Sequence, residues 1–192
     1  MKVKSIIKSV LLLSLMVVSG CSSPAVAPAP TAIPSATVPA TWTFNHPQRI
    51  YSLRFPAGWR QEVISRGKGY EEVYFKTVDY RVSEGYPVLE QGADFFIWVQ
   101  MLPQGVTTAD EYITANPLLD QVARDRKETS VAGYPAIQCD YSYEGVRAVL
   151  TFFAAHGKIF QVRYRIVDDA SRPEYLQEYD YLLRSMVVYN IQ

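Results

Sequence analysis

Residues 136–167 read AIQCDYSYEGVRAVLTFFAAHGKIFQVRYRIV. Ile137, Cys139, Tyr141 and Tyr143 alternate with Gln138, Asp140, Ser142 and Glu144, the period-two pattern of a half-buried strand. Residues 146–155 are apolar on both alternating sets, as an interior strand requires, and 158–167 alternate again. Glu144-Gly145 and His156-Gly157 are short enough to close two tight turns. The stretch therefore predicts a three-stranded antiparallel meander over Ala136–Tyr143, Val146–Ala155 and Lys158–Val167.

Working outward, the same alternation predicts strands at 49–55, 60–65, 72–76 and 127–131, and residues 94–102, apolar on both alternating sets, predict a strand covered on both faces. Trp42-Thr43-Phe44 is placed as the hairpin partner of the first. Pro56-Ala57-Gly58 and Ala132-Gly133-Tyr134-Pro135 are turn signals. Residues 80–92, YRVSEGYPVLEQG, read as a long loop. Thr108-Ala109-Asp110-Glu111 has capping-box spacing and opens a helix toward Asn116, with a continuation over 118–124. Ser171-Arg172-Pro173-Glu174 repeats that spacing. It opens a helix with an apolar stripe of Tyr175, Tyr179, Leu182, Leu183 and Met186, expected to pack on the sheet. Strands in succession with helices between blocks imply an α+β domain, and a sheet apolar on both faces implies an α–β–α sandwich around a central antiparallel sheet.

The N-terminus carries a different message. Lys2, Lys4 and Lys8 precede an apolar run over 10–18, and Ser19-Gly20 leads to Cys21. This is the layout of a secretory signal, too short to span a bilayer. The ending Val18-Ser19-Gly20-Cys21 resembles a bacterial lipobox. That resemblance implies cleavage before Cys21, a diacylglyceryl group on its thiol and an N-acyl group on the new amine. Residues 1–20 are then a signal peptide. Residues 21–41, with prolines at 24, 28, 30, 34 and 39, are a spacer, and 42–192 are one domain. The expected location is a cell membrane or outer membrane, lipid-anchored, with the domain on the extracytoplasmic side.

Composition excludes some functions. The chain holds 19 basic and 19 acidic residues. Loss of the three signal lysines leaves 16 against 19, a mature charge of −3, which argues against a nucleic-acid partner. Cys139 is the one cysteine besides Cys21, and its place on an apolar strand face predicts an inert buried thiol. His46 and His156, the two histidines, have no ligand-type neighbours at zinc spacing and are expected to be solvated turn residues. No metal site is expected. Asp168-Asp169 reads as a solvated loop, and Glu62, Glu71 and Glu72 show no evident partner. No nucleophile elbow or phosphate-cradling loop occurs, so no catalytic residue is named and no cofactor is expected beyond the lipid on Cys21.

Three pieces resemble the PsbP-like family, the fold of a photosystem II extrinsic protein and of a yeast import factor that binds the GTPase Ran. They are Tyr51-Ser52-Leu53-Arg54-Phe55-Pro56-Ala57-Gly58-Trp59, then Val131-Ala132-Gly133-Tyr134-Pro135-Ala136, then the closing order Gly157-Lys158-Ile159-Phe160-Gln161-Val162, aromatic helix and Arg184-Ser185-Met186-Val187-Val188. The resemblance implies a non-enzymatic binding or assembly-assisting role with an envelope protein as partner. Arg147, Arg163 and Arg165 are the candidate partner-binding cations. With Asp140 they form either a cross-strand ion-pair ladder or the floor of a groove for an acidic partner. Tyr86, in the long loop, completes the candidate set. Two other functions are weighed: a carrier or sensor of a small apolar ligand with tyrosines lining its pocket, and a cell-wall hydrolase.

Overall fold

A computed structural model describes residues 40–67, 69–84, 88–143, 146–167 and 174–190. All belong to one unit, Val38–Gln192. In chain order the elements are β1 (Thr41–Asn45), β2 (Tyr51–Pro56), β3 (Trp59–Gly67), β4 (Tyr70–Thr77), β5 (Arg81–Val82), β6 (Leu89–Gln91) and β7 (Ala93–Met101). Then come α1 (Ala109–Thr114), α2 (Pro117–Val122), β8 (Lys127–Val131), β9 (Tyr134–Tyr143), β10 (Val146–Ala155), β11 (Lys158–Val167), α3 (Glu174–Arg184) and β12 (Val187–Val188). The signal, the spacer up to residue 39, Cys21, Tyr86, Asp168-Asp169, Ser171 to Pro173 of the capping box and the Glu144-Gly145 turn lie outside the described residues, and Thr41, expected in the spacer, opens β1.

The large sheet runs β3-β4-β7-β11-β10-β9-β8, and β1-β2-β12 form a smaller one. Each described pairing is antiparallel. The meander of 136–167 is present, with β10 in the sheet interior between its two neighbours. β9 starts two residues ahead of the expected strand, because Tyr134 and Pro135 already pair with Val131 and Ser130. His156, at φ 50°, and Gly157, at φ 71°, make the tight turn whose left-handed backbone matches the twist of the flanking strands. The expected loop at 80–92 contains a small two-stranded pair, β5 with β6.

Period-two alternation builds two separate cores. On one face, Phe75, Phe95, Phe153, Phe160, Val162 and Tyr164 pack against Tyr51, Leu53 and Phe55 of the small sheet and Tyr179, Leu182 and Met186 of α3. The expected stripe of α3 is therefore core at these positions, and Tyr179 accepts or donates a 2.5 Å hydrogen bond with Thr151 of β10. On the other face, Cys139, Leu150, Phe152 and Ile159 pack against Ala109, Tyr112 and Ile113 of α1 and Ala123 beyond α2.

The α1 capping box is formed, with Thr108 and Glu111 each bonding the other's backbone N–H. Asn116 caps the separate helix α2 ahead of Pro117, so the second half is a new helix rather than a continuation. Arg126 ties the two together through Asp110 and Asp120. The architecture is α+β with a central antiparallel sheet. Among the described residues, no helix is long and apolar enough to cross a membrane.

Candidate functional site: an uncapped strip of the large sheet

Among the described residues, the helices α1 and α2 cover chiefly the β9–β10 side of their face and reach β11 at Ile159 and β7 at Gln100. Across β4, β7 and β11 the same face carries side chains in register, half-exposed apart from the buried Phe96, Asp94 and Ile159. One row is Glu72, Trp98 and Gln161. The next is Tyr74, Phe96 and Arg163. Lys76, Asp94 and Arg165 close one end, and Tyr70, Gln100 and Ile159 the other. Gln100 is held by Tyr112 of α1, and Lys76 lies over the ring of Tyr80. The strip is about 20 Å long and about 10 Å wide, from strand rise and spacing.

Local packing fixes these side chains. Tyr70 meets Trp98 edge-on with ring centroids 6.0 Å apart, and Tyr74 and Phe96 lie 4.4 Å apart. The Arg163 guanidinium sits over Phe96, 5.0 Å from the ring centre. Burial raises the pKa of the Tyr74 phenol, with Arg163 working against that rise.

The polar accounting is what makes the strip stand out. Trp98 Nε1, Gln161 Oε1 and Arg163 Nε are buried and have no hydrogen-bond partner among the described residues. A buried polar group left unmade costs about 1–3 kcal/mol, more if charged. Asp94 engages Arg165, and Glu62 engages Lys76 at 2.6 Å. Arg163 has no carboxylate partner among the described residues.

The structure divides the sequence-named arginines. Arg147 pairs in register with Ile166 and Arg165 with Ala148, so Arg147 stands on the opposite face from Arg163 and Arg165. Neither a single ladder nor a single groove floor can contain all three. Arg147 pairs with Asp140 at 3.3 Å, a local ion pair. Arg165 Nε donates to both carboxylate oxygens of the buried Asp94, at 3.0 and 2.9 Å. Among the described residues, Arg163 alone of the three has no counter-ion. The hairpin register carried this division: a two-residue turn at 156–157 fixes which parity of β10 faces which parity of β11.

A second correction concerns His46, which is buried instead of solvated, at 1% exposure. It packs against the rings of Phe44 and Tyr51. Gln48 N–H donates to Nδ1, so the proton of the neutral ring sits on Nε2. Nε2 lies 2.8 Å from Glu71 Oε2 without hydrogen-bond alignment, and Glu71 Oε1 lies 3.5 Å from Arg66. Burial, assisted by Arg66, lowers the His46 pKa to about 4. Glu62 and Glu71 thus have partners that the sequence did not reveal. His156 is a surface residue as expected, 2.7 Å from the Tyr134 hydroxyl.

Clefts border the strip's Tyr70–Gln100 end and lie beside α1. One of about 300 Å³ is lined by Arg66, Tyr70, Glu71, Gln100 and Lys158, and one of about 390 Å³ lies between α1 and the β8–β9 edge. Tyr51, Tyr164 and Tyr179 are consumed by the core rather than lining a pocket. Among the described residues, no group of three or more His, Cys, Asp or Glu is arranged to hold a metal ion.

Neither a family sequence profile nor any curated protein sequence matches this chain. Similar solved structures exist. Cyanobacterial PsbP (CyanoP) from Synechocystis sp. PCC 6803 superposes with a TM-score of 0.50 at 12% identity, over 83% of this chain and 98% of that one. A protein from Bacteroides thetaiotaomicron VPI-5482 gives the same TM-score and identity over 77% of this chain. The chain spans about half of that second protein, 48% of its length. At this identity the likeness concerns the backbone, and with the element order above it shows that this chain has a PsbP-like fold.

Proposed function

We propose that the protein is a lipid-anchored, non-catalytic binding lipoprotein of the cell envelope, tethered through Cys21 and engaging a protein partner with the β4–β7–β11 strip. The observation that carries the binding reading is the composition of that strip. Trp98, Tyr70, Tyr74 and Arg163 are the residue types that dominate binding energy at protein interfaces. They stand on a rigid sheet, where side chains are preorganised and little ordering entropy opposes association. The layers are read as the α–β–α sandwich expected from sequence, with the α1–α2 layer stopping short of the strip.

The anchor reading rests on the lipobox alone. Each buried methylene of an acyl chain contributes about 0.8 kcal/mol, so two or three chains hold a domain firmly on a bilayer.

The test is in-cell crosslinking of the tagged protein and of Cys21→Ser, with membrane fractionation of both. A dominant envelope protein captured by the anchored form supports the reading. Capture of nothing specific, or a Cys21→Ser chain that stays with the membrane as the parent does, overturns binding or anchoring respectively.

A further inference from the structure

We infer that the groove between the outer face of the small sheet and the last turn of α3 is a second docking surface, which takes an acidic segment of a protein partner. The groove lies on the far side of the large sheet from the β4–β7–β11 strip, so the two surfaces are independent. It measures about 580 Å³ and is lined by β1, β2, β12 and the end of α3. Alternation along β2 sends Leu53 and Phe55 into the core and turns Ser52 and Arg54 the other way. Thr43 lies opposite Arg54, and Asn45 and Val187 flank Ser52. Three of the seven large hydrophobic side chains exposed among the described residues, Tyr181, Val187 and Tyr189, meet in this groove, a concentration that singly scattered surface residues do not give. The Tyr189 hydroxyl lies 2.8 Å from Ser52 Oγ, which holds that ring in place. A ring held this way offers contact area at low ordering cost.

Charge selects the occupant. Arg54 and Arg184 line the groove, and among the described residues no acidic side chain does. Arg54 is exposed and forms no ion pair among the described residues. Arg184 meets Asp180 at 3.6 Å, an exposed i,i+4 contact of the kind that contributes little. A helix C-terminus is a negative pole that would repel an anion. Here the carbonyls of Tyr181, Leu182 and Leu183 are already taken by the Ser185 N–H, the Ser185 hydroxyl and the Met186 N–H. Ser185 Oγ also accepts the Arg54 backbone N–H at 2.9 Å, which ties the two arginine-bearing elements together. The result is a cationic recess with aromatic walls. Arg-to-carboxylate bonds are charge-assisted, and Tyr with Arg is the composition that dominates binding energy at protein interfaces. A flat bilayer cannot enter a recess, and anionic lipid is held by clusters of about four to eight basic residues, more than line this one.

The experiment places a photo-crosslinking amino acid at Thr43, an exposed lining position, in the full protein in cells, and identifies the captured segment by mass spectrometry. The expected result is a polypeptide segment containing Asp or Glu. Its yield should fall about tenfold when Arg54→Gln and Arg184→Gln are combined and several-fold in Tyr181→Ala, and stay at the parent level in Arg163→Gln. Thermal melts of the purified variants that match the parent show that the fold is intact. If the double variant melts earlier, Arg184→Glu alone, at a side chain 83% exposed, carries the same expectation. An adduct that ignores these charge changes, or that lands on a segment without acidic residues, on a glycan, on lipid or on a second copy of this chain, overturns the inference, as does no adduct at all. The same crosslinker at Tyr74 reads the strip in parallel. An adduct there with none at position 43 overturns this inference and leaves the proposed function standing, and the reverse removes the strip while keeping the groove.

Discussion

Asp94 and Arg165 form a nearly buried ion pair across β7 and β11, with side-chain exposures of 1% and 16%. It lies one row from Arg163, a residue of the same type on the same strand and face. The two arginines therefore compare an ion-paired guanidinium with one that has no carboxylate partner among the described residues. Removing one member of a buried pair leaves a desolvated charge and costs about 3–5 kcal/mol. Arg165→Gln should lower stability by that order, and Arg163→Gln, half-buried and without a carboxylate partner among the described residues, by less than about 1 kcal/mol. Urea denaturation of both variants checks this. Equal losses would remove the distinction.

His46 should make the domain acid-sensitive. The unfolded ring takes up a proton near pH 6.5 and the folded ring near pH 4. Between those values the unfolded chain binds more protons, so stability is full above about pH 6.5 and falls toward pH 4. The loss from this group is on the order of 3 kcal/mol at most. His46→Phe keeps a ring among Phe44 and Tyr51 and should flatten the pH dependence in that window. Unfolding midpoints of both proteins at pH 7.5, 6, 5 and 4.5 give the answer, and parallel profiles would refute it.

Cys139 should ignore thiol reagents in the native protein. It is fully buried, and burial raises its pKa from 9.0 to about 11, so almost no thiolate exists at pH 8. An aromatic disulfide reagent should titrate it only after unfolding. Rapid native labelling would mean that α1 and α2 open readily.

The third helix should depend on Tyr179 and Leu182. Tyr179→Phe strips the buried Thr151 hydroxyl of its partner, at about 1–2 kcal/mol. Leu182→Ala opens a cavity in the larger core, at about 2–5 kcal/mol. Guanidinium midpoints would reveal either effect, and a neutral Leu182→Ala would place that helix outside the cooperative core.

Sequence reading succeeded where local pattern and packing coincide. β10 and β11 begin and end where alternation and the His156-Gly157 turn place them, because the turn sets register for both. Cys139 was legible for the same reason. The burial of His46 was not. Asn45-His46-Pro47-Gln48 has the composition of an exposed turn, and only packing against Phe44, Tyr51 and distant Glu71 takes the ring out of water. The strip was illegible for a related reason. Glu72, Trp98 and Gln161 are 26 and 63 residues apart in sequence, and only the β4-β7-β11 order makes them neighbours. Strand order depends on long-range pairing that no local window encodes.

The first strand, β1, belongs to the small sheet that packs on one face of the large one, while Trp98 and Arg163 look out from the other. The described chain therefore enters the domain through the layer on the far side of the large sheet, so a tag placed ahead of β1 starts from the face opposite Trp98 and Arg163.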